Sequence, residues 1–410
     1  MNIIRPFRGC FYNLSYLKNL KNLICPPYDV IKEEEKKTLK KASSYNFCHL
    51  LFKEDKGGYR EIKEKFRRWF EDKIFCQDSQ DFFYLYQQEF LLKKRKLSRT
   101  GFFALLNLER KKAIFPHEST LKAPKEDRFQ LLQEVKANLD PIFLVIEKKI
   151  KVLEEIEIIY KREKPFINFQ DKDGIYHRLW RIKEKRLQNK LAMEMESQRL
   201  YIADGHHRFS VAVKFHNLYK KNREARFLLC YFAPPQEGLI ILPTHRIVKI
   251  KDSFSQLEKV VFPFFDVKRV SRKKLEEKVS SSERFCVGMY IKKEVFLLKL
   301  KDITYLDKIF KRLRRNEIYK KVDTYLLDVL ILKKMRVEKI DYVHRIEEVE
   351  KEIKKDNKKI GFILRSPSLE MVFSLAKKGL LFPKKSTYFY PKLPSGLILR
   401  KFNNSYYENI

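Results

Sequence analysis

Apolar positions along this chain switch repeatedly between helical and extended spacing, which predicts a mixed α/β protein. From Tyr59 to Phe70, the apolar Ile62, Phe66, Trp69 and Phe70 recur at helical spacing among Lys, Arg and Glu, the pattern of an amphipathic helix. Phe82–Leu92 and Gly101–Leu108 are aromatic and aliphatic with a basic turn between them, and predict a hairpin. Pro124 to Arg128 opens a helix through Leu131, Leu132 and Val135, and Ile142–Ile146 follows the Asp140-Pro141 break as a strand. Residues 148–165 read as a charged helix. Leu200–Ala203 is a short apolar strand that stops at Asp204-Gly205. Phe209, Ala212, Val213 and His216 then mark a helix starting directly after the glycine. Phe227–Phe232 and Leu239–Leu242 are two further strands, divided by Pro234-Pro235.

After about residue 250 the pattern gives a hairpin (Cys286–Ile291, Val295–Leu300), basic helices over roughly 305–335, and a strand at Lys359–Leu364. Ser366-Pro367 should cap a helix that ends at Gly379. The expected organisation is a ligand-binding α/β domain over 1–250 and a C-terminal α/β region over 251–410 that could complete its cleft.

Composition narrows the classes. With 410 residues, 44% hydrophobic and 14% aromatic, the chain can bury real cores, which excludes disorder as its main character. No apolar run reaches the roughly 18 residues of a membrane span, and residues 1–20 lack an export-signal core. The six cysteines are scattered without zinc-site or disulfide spacing, so a reducing cytoplasm is the expected setting. The net charge of +36 would suit polyanions. Most of the excess is Lys spread from end to end, however, as on ordinary solvated helix faces. No helix-turn-helix, zinc knuckle or RNA-binding signature supports a nucleic-acid partner.

The sharpest chemistry lies at Asp204-Gly205-His206-His207-Arg208. A strand delivers the chain to a tight turn, and a helix opens there with outward N–H groups and the positive end of its dipole, an anion site into which Gly205 admits close approach. Arg208 could grip two phosphate oxygens, and His206 or His207 could donate one more hydrogen bond. The plainer alternative makes Asp204 a helix cap and the histidines ordinary first-turn residues. A resident metal is not expected, since adjacent histidines diverge on a helix; magnesium arriving with ATP or ADP needs only one or two carboxylates.

A second group joins His117 and Glu118 to Lys125, Asp127 and Arg128. Glu118 could take a proton from a hydroxyl, and Lys125 or Arg128 could neutralise phosphate. The alternative is a surface loop before a capped helix. A third comprises Arg5, Arg8, Tyr28 and Asp29 around the Pro26-Pro27 loop, where Asp29 could hold magnesium or a substrate amine, or merely stabilise a turn. His245 closes a strand and faces either the same cleft or solvent. Pro383–Lys392 mixes cations, hydroxyls and aromatics: it could grip an anionic or planar ligand, but reads better as an edge strand with lysine gatekeepers.

Taken in order, Arg5–Gly9, Pro26–Val30, Tyr45-Asn46-Phe47, Pro116-His117-Glu118, Pro124–Arg128, Ala137-Asn138 with Pro141–Phe143, Ala203–Arg208, Leu242–Arg246 and Lys385–Lys392 resemble an uncharacterised prokaryotic family, domain of unknown function number one-thousand-fifteen. Across about ten residues, the strand–Asp204–Arg208–helix turn is similar to the phosphate-binding turn of the ParB/sulfiredoxin superfamily, which includes free serine kinases. That resemblance implies a ParB/sulfiredoxin-like core with additional strands, and Gly205, His206, His207 and Arg208 as phosphate contacts.

The leading expectation is therefore a nucleotide-dependent phosphotransferase acting on a small hydroxyl compound such as free serine. Asp29, Glu118, Asp127 and Asp204 compete for the catalytic carboxylate roles, Lys125 and Arg128 join the phosphate contacts, and Arg8, Tyr28, His117 and His245 are substrate-binding candidates. A non-catalytic nucleotide- or anion-binding regulator is the alternative, with a nucleic-acid-binding protein third. The sequence leaves oligomeric state open.

Overall fold

The computed structural model describes residues 2–54, 58–252, 254–282, 285–292, 294–356 and 358–403. They fall into two compact units. The first comprises residues up to Pro116, Thr120–Ile240 and the chain from Pro391 onward; the second comprises His117–Ser119 and Ile241–Tyr390.

The first unit is built on a nine-stranded sheet. Its order runs Ile114–Phe115, Leu200–Asp204, Ile142–Ile146, Phe227–Ala233, Arg95–Asn107, Phe83–Leu92, Tyr176–Ile182 and Ile167–Gln170, with Ile4–Arg5 also pairing onto Arg95–Asn107. Ile142–Ile146 and Phe227–Ala233 are buried at every residue and pair parallel to each other. Such continuous apolar runs belong to strands covered on both faces. The helices Lys151–Tyr160 and Lys185–Met195 send Leu153, Ile156, Leu187 and Leu191 into the main core of this unit. The helix His206–Leu218 packs on Lys122–Val135, where the rings of Phe129 and Phe215 meet at 6.4 Å.

The expected hairpin is present, but its second strand starts at Arg95, well before Gly101. Leu92 pairs with Arg95, so the turn is only Lys93-Lys94, both at positive φ (50° and 66°). That geometry matches the right-handed twist of the flanking strands and is usually filled by Asn and Gly, so the expected basic turn is tighter than its lysines suggest.

The second unit carries a six-stranded antiparallel sheet in the order Phe265–Arg269, Glu294–Leu300, Cys286–Ile291, Lys359–Ile363, His245–Ile250, Val337–Val343. Leu275, Val279, Val349 and Ile353 from two helices form one small core, and Leu306, Phe310, Leu326, Leu327, Val372 and Leu375 belong to a larger one. The helix expected after Ser366-Pro367 runs Leu369–Lys377, two residues later. Its cap is Ser368, whose hydroxyl accepts from the Met371 amide at 3.2 Å. Among the described residues, no helix is long and apolar enough to cross a membrane.

Candidate functional site

The strand Leu200–Asp204 reaches its end through a register shift between Ile202 and Asp204 against Ile142–Ile146. A bulge of this kind re-aims the next side chain. Gly205 follows in the left-handed region (φ 91°, ψ 29°) as the helix N-cap, and having no side chain it caps none of the first-turn N–H groups. No acidic residue stands in that first turn. The helix therefore begins with its positive end uncompensated from within.

Asp204 is held by two cations. Its Oδ2 accepts from Arg208 Nη2 at 2.7 Å, and its Oδ1 accepts from the Lys392 ammonium. Burial alone would raise its pKa, but Lys392 and Arg208 outweigh that and hold the carboxyl below the usual range. Arg208 also donates to the Pro141 carbonyl, and its guanidinium lies 3.1–3.2 Å from where a Cβ on Gly205 would sit. The guanidinium thus folds back over the turn, with Nη1 and Nη2 each donating to a protein acceptor. The expected two-oxygen grip on phosphate is replaced in this structure by a clamp on Asp204 and Pro141.

Lys392 is itself positioned from beneath. Arg99, fully buried, donates to Gln88 and to the Pro391 carbonyl (2.6 Å), with its guanidinium 4.6 Å over the Phe143 ring. Gln88 donates to the Lys392 carbonyl at 3.1 Å. The sheet interior therefore fixes the Pro391-Lys392 backbone so that the ammonium meets Asp204.

Asp140, Arg128, Tyr28 and Asp29 join the same electrostatic cluster. Burial pushes the Asp140 carboxyl up, opposed by Arg208, the Ser395 hydroxyl and Arg128. Asp140 Oδ1 and Arg208 Nε are buried without a hydrogen-bond partner among the described residues. Both residues, with Arg128, line a cavity of ≈ 60 Å³ closed by Leu131, Val211 and Leu228. Arg128 donates to the Leu51 carbonyl (2.8 Å) and to Asp127 (2.7 Å), and its guanidinium sits 4.5 Å over the Tyr28 ring. Burial and the neighbouring Asp29 push the Tyr28 hydroxyl up, so it stays protonated; Asp29 itself is exposed.

The remaining candidates are placed differently. Asp127 also accepts from the Tyr59 hydroxyl, so both its oxygens are engaged. Lys125 is half-buried one turn before Arg128 on the same helix. His206 is buried and kept neutral, its pKa pushed down to about 3 by burial against the opposing pull of Asp204. His207 Nε2 accepts from the Leu121 amide at 2.9 Å, tying the start of one helix to the start of another. Arg8 faces Asp81 at 3.9 Å, both well exposed.

His117, Glu118 and His245 belong to the second unit. Glu118 Oε1 accepts from the Ser386 amide (3.3 Å), the Thr387 amide (3.2 Å) and the Thr387 hydroxyl (2.9 Å). His117 Nε2 lies 2.8 Å from the same hydroxyl. These contacts anchor the 386–387 segment. His245 opens its strand where the sequence suggested that it closes one. It is buried, with Nδ1 accepting from the Leu364 amide at 3.2 Å, and so faces no solvent.

The sequence reading missed Asp140, Arg99 and Gln88, and treated Lys392 as part of an edge strand. Only Asp140 carried a local signal, its place before Pro141 and a buried strand; the others depend on long-range pairing. Among the described residues, no group of three or more His, Cys, Asp or Glu could hold a metal ion.

No curated protein matches the chain by sequence. Among solved structures it is similar to a conserved hypothetical protein from Pyrococcus furiosus, at 18% identity and TM-score 0.35, covering 72% of this chain and 93% of that one. It is also similar to a free serine kinase in complex with AMP, at 15% identity and TM-score 0.36, covering 70% and 86%. A third likeness is to SbnI with a C-terminal truncation from Staphylococcus aureus, at 9% identity and TM-score 0.38, covering 72% and 85%. The sequence profile described as protein of unknown function, DUF1015, matches residues 4–328, and the chain belongs to that family.

Proposed function

We propose that the protein is a cytoplasmic, nucleotide-dependent phosphotransferase acting on a small hydroxyl compound such as free serine. One observation carries this reading: the helix His206–Leu218 opens at a left-handed glycine with no acid in its first turn, beside the Lys392–Asp204–Arg208 cluster. Nucleotide phosphates would lie against the first-turn N–H groups, with Lys392, held at the turn by Asp204, and Lys125 as further cations. Arg208 is a positioning residue that fixes the turn through Asp204 and Pro141.

In the transfer, the substrate hydroxyl oxygen attacks the terminal phosphorus of ATP or ADP and a new O–P bond forms. The bond from that phosphorus to the bridging oxygen breaks, its electrons leaving with the nucleotide. The hydroxyl proton is assigned to Asp29, which is exposed and whose charge is felt by Arg208. Asp204 is a poor proton acceptor because two cations hold it ionised. The same two contacts occupy both its oxygens, so it does not fit as a magnesium ligand, and no step is assigned to the metal expected with the nucleotide.

The test is a turnover assay. The full chain incubated with ATP or ADP and serine, followed by phosphorus NMR, is expected to yield a phosphate monoester in the native protein and far less in the Asp29→Asn variant. Nucleotide binding without any monoester, across a panel of hydroxyl compounds, would contradict transfer and support the regulator instead.

A further inference from the structure

A second cationic cavity in the first unit is unrelated to the Asp204 turn. It measures ≈ 600 Å³ and is lined by Arg5, Arg223 and Arg226 together with Asn2, Asn189 and Phe227. Arg5 comes from the short strand Ile4–Arg5, and its guanidinium carbon lies 3.5 Å over the Phe227 ring. This packing holds the planar fork in one orientation with its N–H edge unspent on the ring. Arg226 ends the short 3-10 turn Glu224–Arg226, so the strand edge and that turn bring their cations to one wall.

The acids nearby do not balance these charges. Glu224 reaches Arg5 only at 3.9 Å, while its other oxygen is taken by Arg400 at 2.9 Å. Glu109 meets Arg226 at 3.1 Å. Arg223 is exposed and has no ion pair among the described residues. Burial lowers the pKa of Arg5, Glu224 and Asp81 oppose that shift, and the charge of Arg226 adds a smaller lowering, so the two arginines repel. Like charges held together around an open volume are destabilising unless an anion sits between them.

We propose that this cavity binds a small dianion, a phosphate ester or a dicarboxylate, gripped by Arg5 and Arg226 with Arg223 closing from the rim. Two guanidinium forks suit paired anionic oxygens, and the volume fits a metabolite of modest size. Asn2 and Asn189 supply neutral polar groups for the remainder of the ligand.

The experiment is calorimetric titration of the full chain with inorganic phosphate and, separately, with malonate, which distinguishes the two anion sources. At least one is expected to bind the native protein in the millimolar range or tighter. The R223Q/R226Q variant should weaken that binding by about tenfold or more, whereas Gly205→Val, aimed at the helix start, should retain the component of binding that R223Q/R226Q removes. Asn189→Glu, at an exposed helix position, puts a negative charge into the cavity without touching the arginines and should weaken binding comparably. Native-like binding in either cavity variant, loss of all binding in Gly205→Val, or failure of both probes to bind would overturn the proposal. So would an oligouridine RNA that outcompetes both probes with a steep salt dependence, since that would make the arginines a nucleic-acid contact.

Discussion

Lys392 and Asp204 stand 188 residues apart in sequence, and the ammonium of one donates to the carboxylate of the other. The contact closes the end of the strand Leu200–Asp204, next to the sheet edge, with a residue from the last stretch of the chain. It exists because Arg99 and Gln88 grip the Pro391-Lys392 backbone from within the sheet. A buried carboxylate with one cation removed is costly.

Lys392→Met keeps the aliphatic stem and removes the charge. It should lower stability at pH 7 by about 1–3 kcal/mol. Asp204 titrates near pH 2 in the fold against an ordinary value of 3.8, so its contribution is present in full above about pH 4 and is lost as pH falls toward 2. The gap between native and variant proteins should therefore close over that window. Denaturant unfolding at several pH values checks this; an equal gap at pH 7 and pH 2 would count against the pair.

His245 gives a pH effect in the second unit. Burial, then His344 and Arg246, push its pKa down to about 3 from 6.5. The unfolded chain takes up this proton first, so stability is full above pH 6.5 and falls as pH drops toward 3, by about 3–5 kcal/mol for one such histidine. His245→Asn keeps an acceptor for the Leu364 amide and should flatten the dependence of Tm on pH in that range. An unchanged slope would show that His245 is not buried neutral.

Arg365 donates twice to Asp323, at 2.6 and 2.7 Å. Burial still leaves the Asp323 carboxyl raised. Arg365→Met should cost about 3–5 kcal/mol by stranding that carboxyl, and adding Asp323→Leu should recover much of the loss. Chemical denaturation of the single and double variants measures the coupling.

Local signals were readable wherever a single segment decided its own conformation. Gly205 ends a strand, begins a helix and leaves no choice of boundary, so the helix start at His206 was legible to the residue. The cap near Ser366 was misplaced because Ser368 fits the same pattern two residues on, and packing of Val372 and Leu375 chooses between them. The strand Tyr176–Ile182 was not read at all: His177, 2.6 Å from the Tyr86 hydroxyl and 2.9 Å from Asp171, and the half-buried Arg178 and Arg181 break up the apolar pattern of Leu179, Trp180 and Ile182. The same blindness hid Arg99. A buried cation is recognised only by partners such as Pro391, hundreds of residues away. Glu118 and His245 looked reactive by residue type and are instead satisfied by amides and hydroxyls of their own unit.

If the helix start at residue 206 receives phosphate, ADP binding must depend on the glycine that precedes it. Gly205 and Gly379 both sit at positive φ, but only at Gly205 would a side chain meet the Arg208 guanidinium; at Gly379 nothing lies within 4 Å. Calorimetry should show Gly379→Val binding ADP like the native protein and Gly205→Val binding it at least about tenfold more weakly. Equal binding by both variants, or no binding by the native chain, would contradict the account.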